Sequence, residues 1–552
     1  MNQPASAPIL SGPALDGLDD YTSVVDVFHA SVKRFADKPA FSCMGRVLTY
    51  GELDTLSSDF AAWLQQETDL EPGDRIAIQL PNVLQFPVAV FGALRAGLVV
   101  VNTNPLYTER EMRHQFEDSG ARAILILANM ADKLEKVLGQ SQIKHVLVTE
   151  LGDLHGFPQR TLINAVVKYV KKMVPKYSLP TAIGFRQALA KGRGLEHREV
   201  ARGMDDVAAL QYTGGTTGLA KGTMLTHRNL VANMLQARVA LMAGAMNEGS
   251  EVIIAPLPVY HIYTFTVNCL CMMVTGNHSV LITNPRDIDG FIKTLKTIKF
   301  SGFVGLNTLF NALCNREEFR ALDFSSLKLT ISGGMALTRT AAKRWEEITG
   351  CPIAEGYGMT ETSPIVSFNP PDAIQLGTIG KPASGTSVKV IDDDGRALPL
   401  GEPGELCVKG PQVMKGYWNR PEDTAKTLDD EGWIRTGDIA VLQEDGYIRI
   451  VDRKKDMIIV SGFNVYPNEI EDVVAGHPDV IEAAAVGVAD DNSGEAIKLF
   501  VVSRNEALDA ETLRTWCKKE LAAYKVPKLI EFRDELPKTN VGKVLRRELR
   551  DS

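Results

Sequence analysis

A run of glycines and threonines near the middle of the chain has the composition of a phosphate-binding loop. The run reads Tyr212-Thr213-Gly214-Gly215-Thr216-Thr217-Gly218-Leu219-Ala220-Lys221-Gly222. Its glycines let the backbone approach phosphate oxygens closely, its threonine hydroxyls add hydrogen-bond donors, and Lys221 adds positive charge. Residues 209–211 have the pattern of a strand end, and residues 229–236 have that of a helix. We therefore predict that the loop lies on a strand-to-helix turn, where free backbone N–H groups bind anions.

Two other interpretations of this run make different demands on its sequence. The P-loop of nucleoside triphosphatases ends in Gly-Lys-Ser/Thr, whereas this run ends in Ala220-Lys221-Gly222, so the P-loop pattern fails. A plain surface loop does not need so many threonines and glycines beside a lysine. The loop alone therefore indicates phosphate binding without defining the reaction.

Four further motifs follow the loop along the chain. They are Glu355-Gly-Tyr-Gly-Met-Thr-Glu361, Gly432-Trp-Ile-Arg-Thr-Gly-Asp438, Asp452-Arg-Lys-Lys-Asp456 and Pro537-Lys-Thr-Asn-Val-Gly-Lys543. In this order the five motifs resemble those of the adenylate-forming (AMP-binding) superfamily, which includes acyl-CoA synthetases, luciferases and nonribosomal peptide adenylation domains. Residues 432–471 are similar to the fatty acyl-CoA synthetase signature. Nearly the whole chain resembles the bacterial long-chain fatty-acid:CoA ligases of β-oxidation.

The resemblance implies a two-step reaction. A carboxylate attacks ATP to give an acyl-adenylate and pyrophosphate, and the CoA thiol then displaces AMP to give acyl-CoA. The implied substrates are a fatty acid, ATP and CoA, and the implied cofactor is Mg²⁺. Three alternatives stay open: a sister enzyme for aryl or medium-chain acids, a fatty acyl-AMP ligase that transfers its adenylate to a carrier protein, and a catalytically silent acyl- or nucleotide-binding protein. The silent protein is disfavoured because the residues that would act on ATP are all intact, namely Lys221, Glu361, Asp438, Arg453 and Lys543.

The resemblance also implies a role for each residue of the nucleotide site. Tyr357 would lie against adenine, Asp438 would accept both ribose hydroxyls, and Arg453 would contact ribose and phosphate. Thr216 and Glu361 would hold Mg²⁺ together with phosphate oxygens. The full implied ATP- or AMP-binding set is Thr213, Gly214, Gly215, Thr216, Thr217, Gly218, Lys221, Gly333, Gly334, Glu355, Gly356, Tyr357, Gly358, Met359, Thr360, Asp438, Arg453 and Lys543.

The catalytic residues that the resemblance implies are Lys543, Glu361, Thr216 and Lys221. Lys543 would stabilise the negative charge that gathers as the carboxylate attacks phosphorus, so no protein nucleophile is needed. Because this lysine serves only the first step, the resemblance implies that the carboxyl-terminal domain rotates about a hinge at Lys455 between steps. The segment Ser461-Gly462-Phe463 then resembles the loop that reaches the CoA channel.

An apolar segment over residues 257–265 supplies candidates for the acid pocket. A histidine in such a run is ordinarily a core residue, but the position of His261 also fits a gate of the carboxylate pocket. No single Asp or Lys marks a polar amino-acid pocket, which favours an apolar acid of undefined chain length. The candidate lining residues are Tyr260, His261, Tyr263, Phe265, Gly305, Asn307 and Thr308.

Length and composition restrict the number of domains, the kinds of partner and the cellular location that the chain can have. At 552 residues the chain exceeds the roughly 250–300 residues at which a single core stops growing. Its net charge of −8 disfavours a nucleic-acid partner, and its seven scattered cysteines lack the spacing of a zinc site. The amino terminus has no signal or transit pattern, and polar residues and prolines interrupt the charge-free stretch 252–285, so we expect a cytoplasmic enzyme without a transmembrane helix. Oligomeric state is not predicted, and a homodimer is compatible with the sequence.

The pattern of elements predicts an α/β fold. Helical stretches alternate with β-branched strands at residues 75–79, 98–102, 123–127, 145–149 and 251–255, which favours parallel-sheet subdomains with crossover helices. Strands separated by Gly, Pro and Asp turns over about 380–452 indicate a small β-barrel-like unit. We predict an AMP-binding domain over residues 1–452, followed by a small mobile α+β domain over residues 453–552.

A basic segment without acidic residues is a second chemical signal. Residues 154–195 contain no Asp or Glu but many Lys and Arg, concentrated from Arg160 to Lys176. This pattern is typical of an interfacial helix on the anionic inner face of a membrane, and equally of a helix packed on its own domain with a solvated basic face. We predict a helix that ends at Pro175. Helical spacing places Lys168, Lys171 and Lys172 on the side opposite the apolar residues Ile163, Val166, Val167, Val170, Met173 and Val174.

Overall fold

The computed structural model describes residues 8–213, 220–243, 246–490, 493–539 and 542–550. Within these residues, the first of two predominantly parallel sheets has eight strands, of which the last six run parallel to one another. In spatial order they are Gly416–Tyr417, Lys221–Thr226, Val207–Thr213, Val99–Asn102, Arg75–Gln79, Ala123–Leu127, His145–Thr149 and Ile183–Gly184.

The second predominantly parallel sheet has nine strands within the described residues, and its third to eighth strands run parallel. Because parallel strands present their carboxyl ends at one edge, each sheet offers one edge for binding. In spatial order the strands are Lys381–Pro382, Ile365–Phe368, Ile353–Gly358, Leu329–Gly333, Gly302–Gly305, Val252–Ala255, His278–Leu281, Pro39–Cys43 and Arg46–Thr49.

Two smaller sheets follow. One is antiparallel and has the spatial order Leu10–Ser11, Ser387–Ile391, Pro403–Lys409, Ile434–Leu442 and Ile448–Arg453. The other belongs to the carboxyl-terminal part and contains Phe463–Val465, Ile458–Val460, Gly494–Ser503 and Val480–Asp490, with Leu529–Phe532 paired to Gly494–Ser503. The antiparallel sheet ends at Arg453, and the turn that follows leads to the carboxyl-terminal sheet.

Helices cover the faces of the sheets. Two π-helical segments, Val166–Val170 and Phe265–Cys271, continue neighbouring helices, and the described short 3₁₀ turns are Leu18–Asp20, Ala128–Met130, Thr360–Thr362 and Ala523–Lys525. The α-helices of the described residues are Val24–Phe35, Tyr50–Gln66, Gln85–Arg95, Glu109–Ser119, Ala131–Leu138, Gln159–Ala165, Phe185–Gly192, His227–Ala243, Ile262–Thr264, Met272–Thr275, Ile288–Leu295, Asn307–Cys314, Glu317–Arg320, Arg339–Thr349, Pro421–Thr427, Pro467–Ala475, Ala510–Glu520 and Arg546–Arg550.

The main hydrophobic core contains residues of both parallel sheets and of the helices between them. Phe28 and Phe91, from two of these helices, stack with their ring centres 4.4 Å apart. Phe60 packs edge-on against Phe185, with the ring centres 5.1 Å apart. All four rings are completely buried, so the strand ends that form the cleft are carried by a close-packed scaffold.

The predicted α/β fold is confirmed, and three predicted strands have the predicted bounds: Arg75–Gln79, Ala123–Leu127 and His145–Thr149. The prediction of a strand-to-helix turn at the glycine/threonine run is wrong. Val207–Thr213 instead pairs antiparallel with Lys221–Thr226, and Thr213 lies opposite Lys221. The run therefore connects two strands of a hairpin, because Lys221–Thr226 forms a second strand before the helix begins at His227.

The basic segment also differs from its prediction at its end. The helix does not extend to Pro175: its last π-helical residue is Val170, and Lys172 adopts a positive φ of 53°. A left-handed residue cannot continue a right-handed helix, which explains the earlier end. Among the described residues, no helix is both long enough and apolar enough to cross a bilayer.

Candidate functional site

Many of the predicted site residues line one large cleft, with a volume of ≈ 2430 Å³. The cleft lies at the carboxyl ends of Val207–Thr213, Leu329–Gly333 and Ile353–Gly358, and residues of the antiparallel sheet and the carboxyl-terminal part also line it. Ligands of open parallel sheets bind outside the carboxyl ends of the strands. The volume exceeds the roughly 300–1,000 Å³ typical of a drug-sized ligand, so several substrates fit together.

The buried Glu361 carboxyl is held by a tyrosine that the motifs do not contain. The Tyr417 hydroxyl donates to Glu361 Oε1 at 2.7 Å, and the Lys221 ammonium lies 5.2 Å from the centre of the Tyr417 ring. Burial raises the pKa of Glu361, against the lowering effect of the Tyr417 hydrogen bond. The Lys221 ammonium pairs instead with Asp423, at 3.0 Å. Glu361 is thus a buried carboxyl whose charge a bound cation would stabilise.

Tyr357, Asp438 and Arg453 form a connected group. The Tyr357 hydroxyl donates to Asp438 Oδ2 at 2.5 Å, and Arg453 Nε lies 3.6 Å from Asp438 Oδ1. Asp438 and Arg453 face each other on the adjacent strands Ile434–Leu442 and Ile448–Arg453. The sheet register therefore fixes the carboxylate beside an aromatic ring and a guanidinium, and a ligand with two hydroxyls can compete for the same two oxygens.

Glycines at two strand ends keep the backbone open on the cleft. A Cβ added at Gly333 would lie 3.2 Å from the Gly356 carbonyl oxygen, and one added at Gly358 would lie 1.9 Å from the Pro364 carbonyl oxygen. Gly334 has a φ of +85°, which an L side chain rarely adopts. A side chain is therefore excluded at Gly358 and strained at Gly334, and one at Gly333 would crowd the end of the neighbouring strand.

Glu355 has a different environment from the other predicted nucleotide-binding residues. Its buried carboxyl accepts a hydrogen bond from the Leu337 N–H at 2.9 Å, and burial raises its pKa to about 8. Beyond it, the Met359 N–H donates to the Pro364 carbonyl at 3.1 Å, and Thr360–Thr362 forms a 3₁₀ turn. This turn places the buried Glu361 at the cleft.

Lys543 reaches the cleft from the carboxyl-terminal part of the chain. Its N–H donates to Thr539 Oγ1 at 3.1 Å, and the Thr539 N–H donates back to the Lys543 carbonyl at 2.7 Å. Burial lowers the pKa of the Lys543 ammonium to about 7, with Arg453 adding to the shift and Asp438 opposing it. The lysine is thus desolvated beside the Asp438 group, in a position where an anionic ligand would favour its charged form.

The turn that carries Lys543 lies against the large domain. A Cβ added at the neighbouring Gly542, whose φ is +82°, would lie 3.2 Å from Thr308 Oγ1. Thr308 belongs to the first turn of Asn307–Cys314. The Asn307 amide donates to the Ala336 carbonyl at 2.6 Å and accepts the Thr338 N–H at 3.1 Å, so it braces the loop after Gly334. Thr308 therefore faces the turn that carries Lys543, whereas both ends of the Asn307 side-chain amide are used in hydrogen bonds to the backbone of the large domain.

The predicted acid-pocket residues separate into two groups. Tyr260, His261 and Tyr263 line the cleft. Phe265 is 1 % exposed and packs edge-on against Phe86 in the main core, and Gly305 lies beneath the Phe310 ring, where an added Cβ would approach within 2.5 Å. Neither Phe265 nor Gly305 is among the residues that line the cleft. The apolar pattern cannot separate these core positions from lining positions, since both are buried.

His261 lies beside Tyr263 at the cleft, within range of the Lys543 charge. Burial lowers its pKa to about 4, and the Lys543 charge adds to this shift. Its Nδ1 accepts the Tyr263 N–H at 3.4 Å. The Tyr263 hydroxyl is buried and has no hydrogen-bond partner among the described residues. A neutral imidazole and an unpartnered hydroxyl therefore lie together at the cleft, and both can contact a ligand carboxylate.

The predicted hinge residue Lys455 lines the cleft, whereas the predicted CoA loop lies outside it. Residues 454–456 form a turn after Ile448–Arg453, closed by the Asp456 N–H on the Arg453 carbonyl at 3.0 Å, and Lys455 is exposed in it. Ser461 and Gly462 occupy a hairpin turn with φ of 51° and 82°. Phe463 follows, 56 % exposed and stacked on Tyr524 with ring centres 4.8 Å apart. None of Ser461, Gly462 and Phe463 lines the cleft.

Part of the predicted phosphate site cannot be placed. Gly214, Gly215, Thr216, Thr217 and Gly218 lie outside the described residues. Their flanking residues Thr213 and Lys221 both line the cleft and are paired across the hairpin.

Sequence reasoning missed Tyr417 and Asp423, which hold Glu361 and Lys221. Asp423 lies in the first turn of Pro421–Thr427, and a hydrogen bond from Lys221 is the main cause that lowers its pKa. The only sequence signal is the aromatic pair in Gly416-Tyr417-Trp418, which lies between two motifs and belongs to neither. Nothing in its spacing indicates contact with a residue 56 positions earlier.

Comparisons with known proteins identify the family and its related enzymes. The AMP-binding enzyme family matches residues 28–418, and the AMP-binding enzyme C-terminal domain matches residues 469–543. The chain is 54% identical over 549 residues to a long-chain-fatty-acid–CoA ligase of Escherichia coli, which covers 99% of this chain and 97% of the relative. A long-chain-fatty-acid–CoA ligase of Bacillus subtilis is 38% identical, covering 94% and 92%.

A solved structure has the same architecture. The benzoate CoA ligase from Burkholderia xenovorans superposes with a TM-score of 0.82 at 27% identity, covering 96% of this chain and 100% of that chain. Both family matches include residues that line the cleft, among them Glu361 and Lys543. On these matches, the chain belongs to the AMP-binding enzyme family.

Proposed function

We propose that the protein is an AMP-forming long-chain-fatty-acid:CoA ligase that joins a fatty acid to CoA through an acyl-adenylate. One observation carries the proposal. A lysine from the carboxyl-terminal part, Lys543, lies in the same cleft as the Tyr357–Asp438–Arg453 group and the buried Glu361. The high identity to relatives named long-chain-fatty-acid–CoA ligases supports a fatty acid over the aryl acid of the benzoate ligase.

In the first step, the fatty-acid carboxylate attacks the α-phosphorus of ATP and pyrophosphate leaves. We assign Asp438 to the ribose hydroxyls, Tyr357 to the adenine ring and Lys221, with Thr213 and the adjoining loop, to the phosphates. Lys543 stabilises the negative charge that gathers on the pentavalent phosphorus, since its ammonium is desolvated in the cleft and positioned before the reaction. His261, neutral at physiological pH, and Tyr263 orient the incoming carboxylate.

The residues at Glu361 fit a magnesium ion. The Glu361 carboxyl offers the hard oxygen ligand that Mg²⁺ requires. Burial disfavours its negative charge, and the hydrogen bond that it accepts from Tyr417 comes from a neutral hydroxyl, so a cation would stabilise the carboxylate. Together with Thr216 and phosphate oxygens, Glu361 would hold the ion, which supplies positive charge to the leaving pyrophosphate. Tyr417 fixes the orientation of the carboxylate before the ion binds.

For the second step we propose that the chain divides into domains 1–452 and 453–552, which rotate relative to each other about Lys455. The turn of residues 454–456 is the connection between the antiparallel sheet and the carboxyl-terminal sheet. After adenylation, withdrawal of Lys543 opens the route by which the CoA thiol attacks the acyl carbonyl and AMP leaves. Ser461, Gly462 and Phe463, which are outside the cleft in the present orientation, would then contact CoA.

Substrate dependence tests this function. The purified protein is incubated with ATP, Mg²⁺, CoA and either palmitate, octanoate or benzoate, and AMP and the thioester are quantified together. We expect AMP to form in equal amount to the thioester, to require CoA, and to show the highest kcat/KM with palmitate. A higher kcat/KM with benzoate would favour the aryl-acid alternative. Stable accumulation of acyl-AMP with no CoA-dependent turnover would favour the acyl-AMP ligase.

We further propose peripheral contact with an anionic membrane as the finer part of this function.

A further inference from the structure

A single helix contacts the hairpin that carries the phosphate loop at two points. On the helix Glu109–Ser119, the His114 Nε2–H donates to the Ala220 carbonyl at 2.7 Å. Four residues later along this helix, Asp118 Oδ2 accepts the Tyr212 hydroxyl at 2.7 Å. Residues four apart lie on the same face of a helix. One helical face therefore holds the hairpin both before and after the phosphate loop.

Asp118 also holds the segment that follows the edge strand Gly416–Tyr417. Its carboxylate Oδ1 accepts from Arg420 Nη2 at 3.0 Å, and its backbone carbonyl accepts the Trp418 indole N–H at 3.1 Å. The Asp118 side chain is only 9 % exposed, so its negative charge depends on these donors rather than on water. The Tyr212 hydroxyl and two groups from the later segment thus meet at one residue.

The segment that Asp118 holds carries partners of two charged residues that line the cleft. The Tyr417 hydroxyl donates to the Glu361 carboxyl at 2.7 Å, and the Asp423 carboxylate lies 3.0 Å from the Lys221 ammonium. Asp423 belongs to the helix that begins directly after the residue paired with Asp118. A shift of this segment would therefore displace Lys221 and Glu361 together.

The Tyr212 ring fixes the spacing across the hairpin. It lies against Gly222, its partner on the opposite strand, where an added Cβ would lie 3.0 Å from the ring. The Gly222 carbonyl in turn accepts the Trp418 backbone N–H at 2.7 Å. Burial raises the pKa of the Tyr212 hydroxyl, and the hydrogen bond to Asp118 adds to the shift, so the hydroxyl stays protonated and remains a donor. The strand that begins at Lys221 is thus held on one side by Tyr212 and on the other by Trp418.

We infer that Asp118 and His114 are positioning residues for the groups that bind the β- and γ-phosphates of ATP. Neither residue lines the cleft, so both act through the hairpin and the segment that carry the partners of Lys221 and Glu361. The inference rests on the proposed function, in which Lys221 binds the phosphates and Glu361 the metal. A brace that served stability alone would change the affinities for ATP and AMP by the same factor. A positioning role affects ATP alone, because the proposed adenosine contacts come from other residues.

Nucleotide binding to the purified protein tests the role of Asp118. Calorimetry with Mg²⁺ present, and without acid or CoA, gives the dissociation constants of ATP and AMP. In Asp118→Ala, ATP should bind at least about tenfold more weakly, since a misplacement of about 1 Å costs up to about 100-fold. AMP should bind within about twofold of the unmodified protein. The ATP affinity of Asp118→Asn, which keeps an acceptor for the Tyr212 hydroxyl, should lie between those of Asp118→Ala and the unmodified protein.

Glu251→Ala is the matched control. The Glu251 side chain is 3 % exposed, pairs with Lys328 at 2.7 Å and does not line the cleft. It lies just before the strand Val252–Ala255 of the other parallel sheet. This variant should bind both nucleotides like the unmodified protein, even where its unfolding temperature falls as far as that of Asp118→Ala. Comparison of the two variants therefore separates a loss of stability from a loss of positioning.

His114 provides a second, smaller test at the other end of the loop. His114→Ala removes the donor to the Ala220 carbonyl and should weaken ATP binding about threefold, whereas the amide of His114→Gln can donate to the same carbonyl and should restore it. Equal weakening of ATP and AMP binding in the Asp118 variants, or an unchanged ATP affinity in them, overturns the inference. The proposed function fails on a different result, namely no pyrophosphate release by the unmodified protein with palmitate and ATP.

Discussion

The two halves of the candidate site are built in different ways. Tyr357 and Asp438 lie within residues 1–452, where sheet register and the hydrogen bond from the Tyr357 hydroxyl hold the carboxylate, and Arg453 forms an ion pair with it from the end of the adjacent strand. Lys543 is held by a short turn of the carboxyl-terminal part, closed by two hydrogen bonds with Thr539 and touching the large domain near Thr308. Under the proposed domain rotation, Tyr357 and Asp438 therefore stay in place, whereas the position of Lys543 depends on the orientation of the carboxyl-terminal domain.

This difference separates two kinds of contribution to the reaction. If the carboxyl-terminal part rotates as proposed, a group within residues 1–452 stays at the nucleotide whichever way that part is turned, and it acts in both steps. A group delivered by that part acts only in the orientation that brings it into the cleft. Variants of the two halves should therefore differ in which half-reaction they impair.

Removal of the delivered lysine should have the largest effect. In Lys543→Ala, acid-dependent pyrophosphate release should fall by about 10²–10³-fold, because one preorganised charge at the transition state is lost. Single-turnover pyrophosphate release with palmitate and ATP measures this. Lys528→Ala is the matched control, since Lys528 is an exposed lysine of the same part that pairs with Asp490. A loss of less than about fivefold in Lys543→Ala would contradict its catalytic role.

Removal of the fixed carboxylate should impair both steps to a smaller extent. In Asp438→Ala, a charge-assisted hydrogen-bonding group worth about 1.5–3 kcal/mol is lost, so the KM for ATP should rise by roughly 10–100-fold. The affinity for supplied acyl-AMP should fall by a similar factor, because acyl-AMP retains the ribose. Steady-state KM and equilibrium binding of acyl-AMP measure the two effects. An unchanged affinity for acyl-AMP would show that Asp438 does not contact the ribose.

The exposed Phe463–Tyr524 pair should matter only for the second step. If Phe463 becomes covered when the carboxyl-terminal part turns, Phe463→Ala should slow thioester formation from acyl-AMP and CoA by about tenfold and leave adenylation unchanged. Phe532→Ala, at another exposed phenylalanine of the same part, is the control. Equal losses in both half-reactions would place Phe463 in the adenylating orientation instead.

The pH dependence of ATP binding should show the smallest effect. Burial lowers the pKa of Lys543 to about 7, so above this pH the free enzyme holds a neutral amine. Anionic phosphates favour the ammonium, so ATP binding at about pH 8 should take up about 0.9 proton, and ATP affinity should fall as the pH rises. Calorimetry in two buffers of different ionisation enthalpy measures the uptake. Lys543→Met should abolish it; uptake that persists in that variant would assign the proton to another group.

Much of the fold could be predicted because periodicity is local. The strand Ala123–Leu127 is a continuous apolar run, as expected of a strand buried on both faces. The hairpin at the phosphate loop was missed because Lys221–Thr226 carries two polar threonines and a glycine, and only its pairing with Val207–Thr213 makes it a strand. Pairing between two strands produces no recognisable pattern in a short stretch of sequence.

The candidate site was predictable to the extent that its residues lie in motifs. Tyr357 and Asp438 lie in different motifs, and their direct hydrogen bond adds geometry that the order of the motifs does not contain. Tyr417 was not predictable, because its contact with Glu361 depends on the edge strand Gly416–Tyr417 joining the eight-stranded sheet. Phe265 was misplaced for the opposite reason: an apolar run indicates burial but not which buried residues line a cleft.

The half-reaction assay of Lys543→Ala tests the central claim most directly. The variant is supplied with synthetic palmitoyl-AMP and CoA, and palmitoyl-CoA formation is followed in a single turnover beside the unmodified protein. A delivered lysine that serves only adenylation predicts a rate within about threefold of the unmodified protein, since its removal takes away nothing that the thioester step uses. A fall as large as that in pyrophosphate release would contradict the account, because Lys543 would then act in both steps.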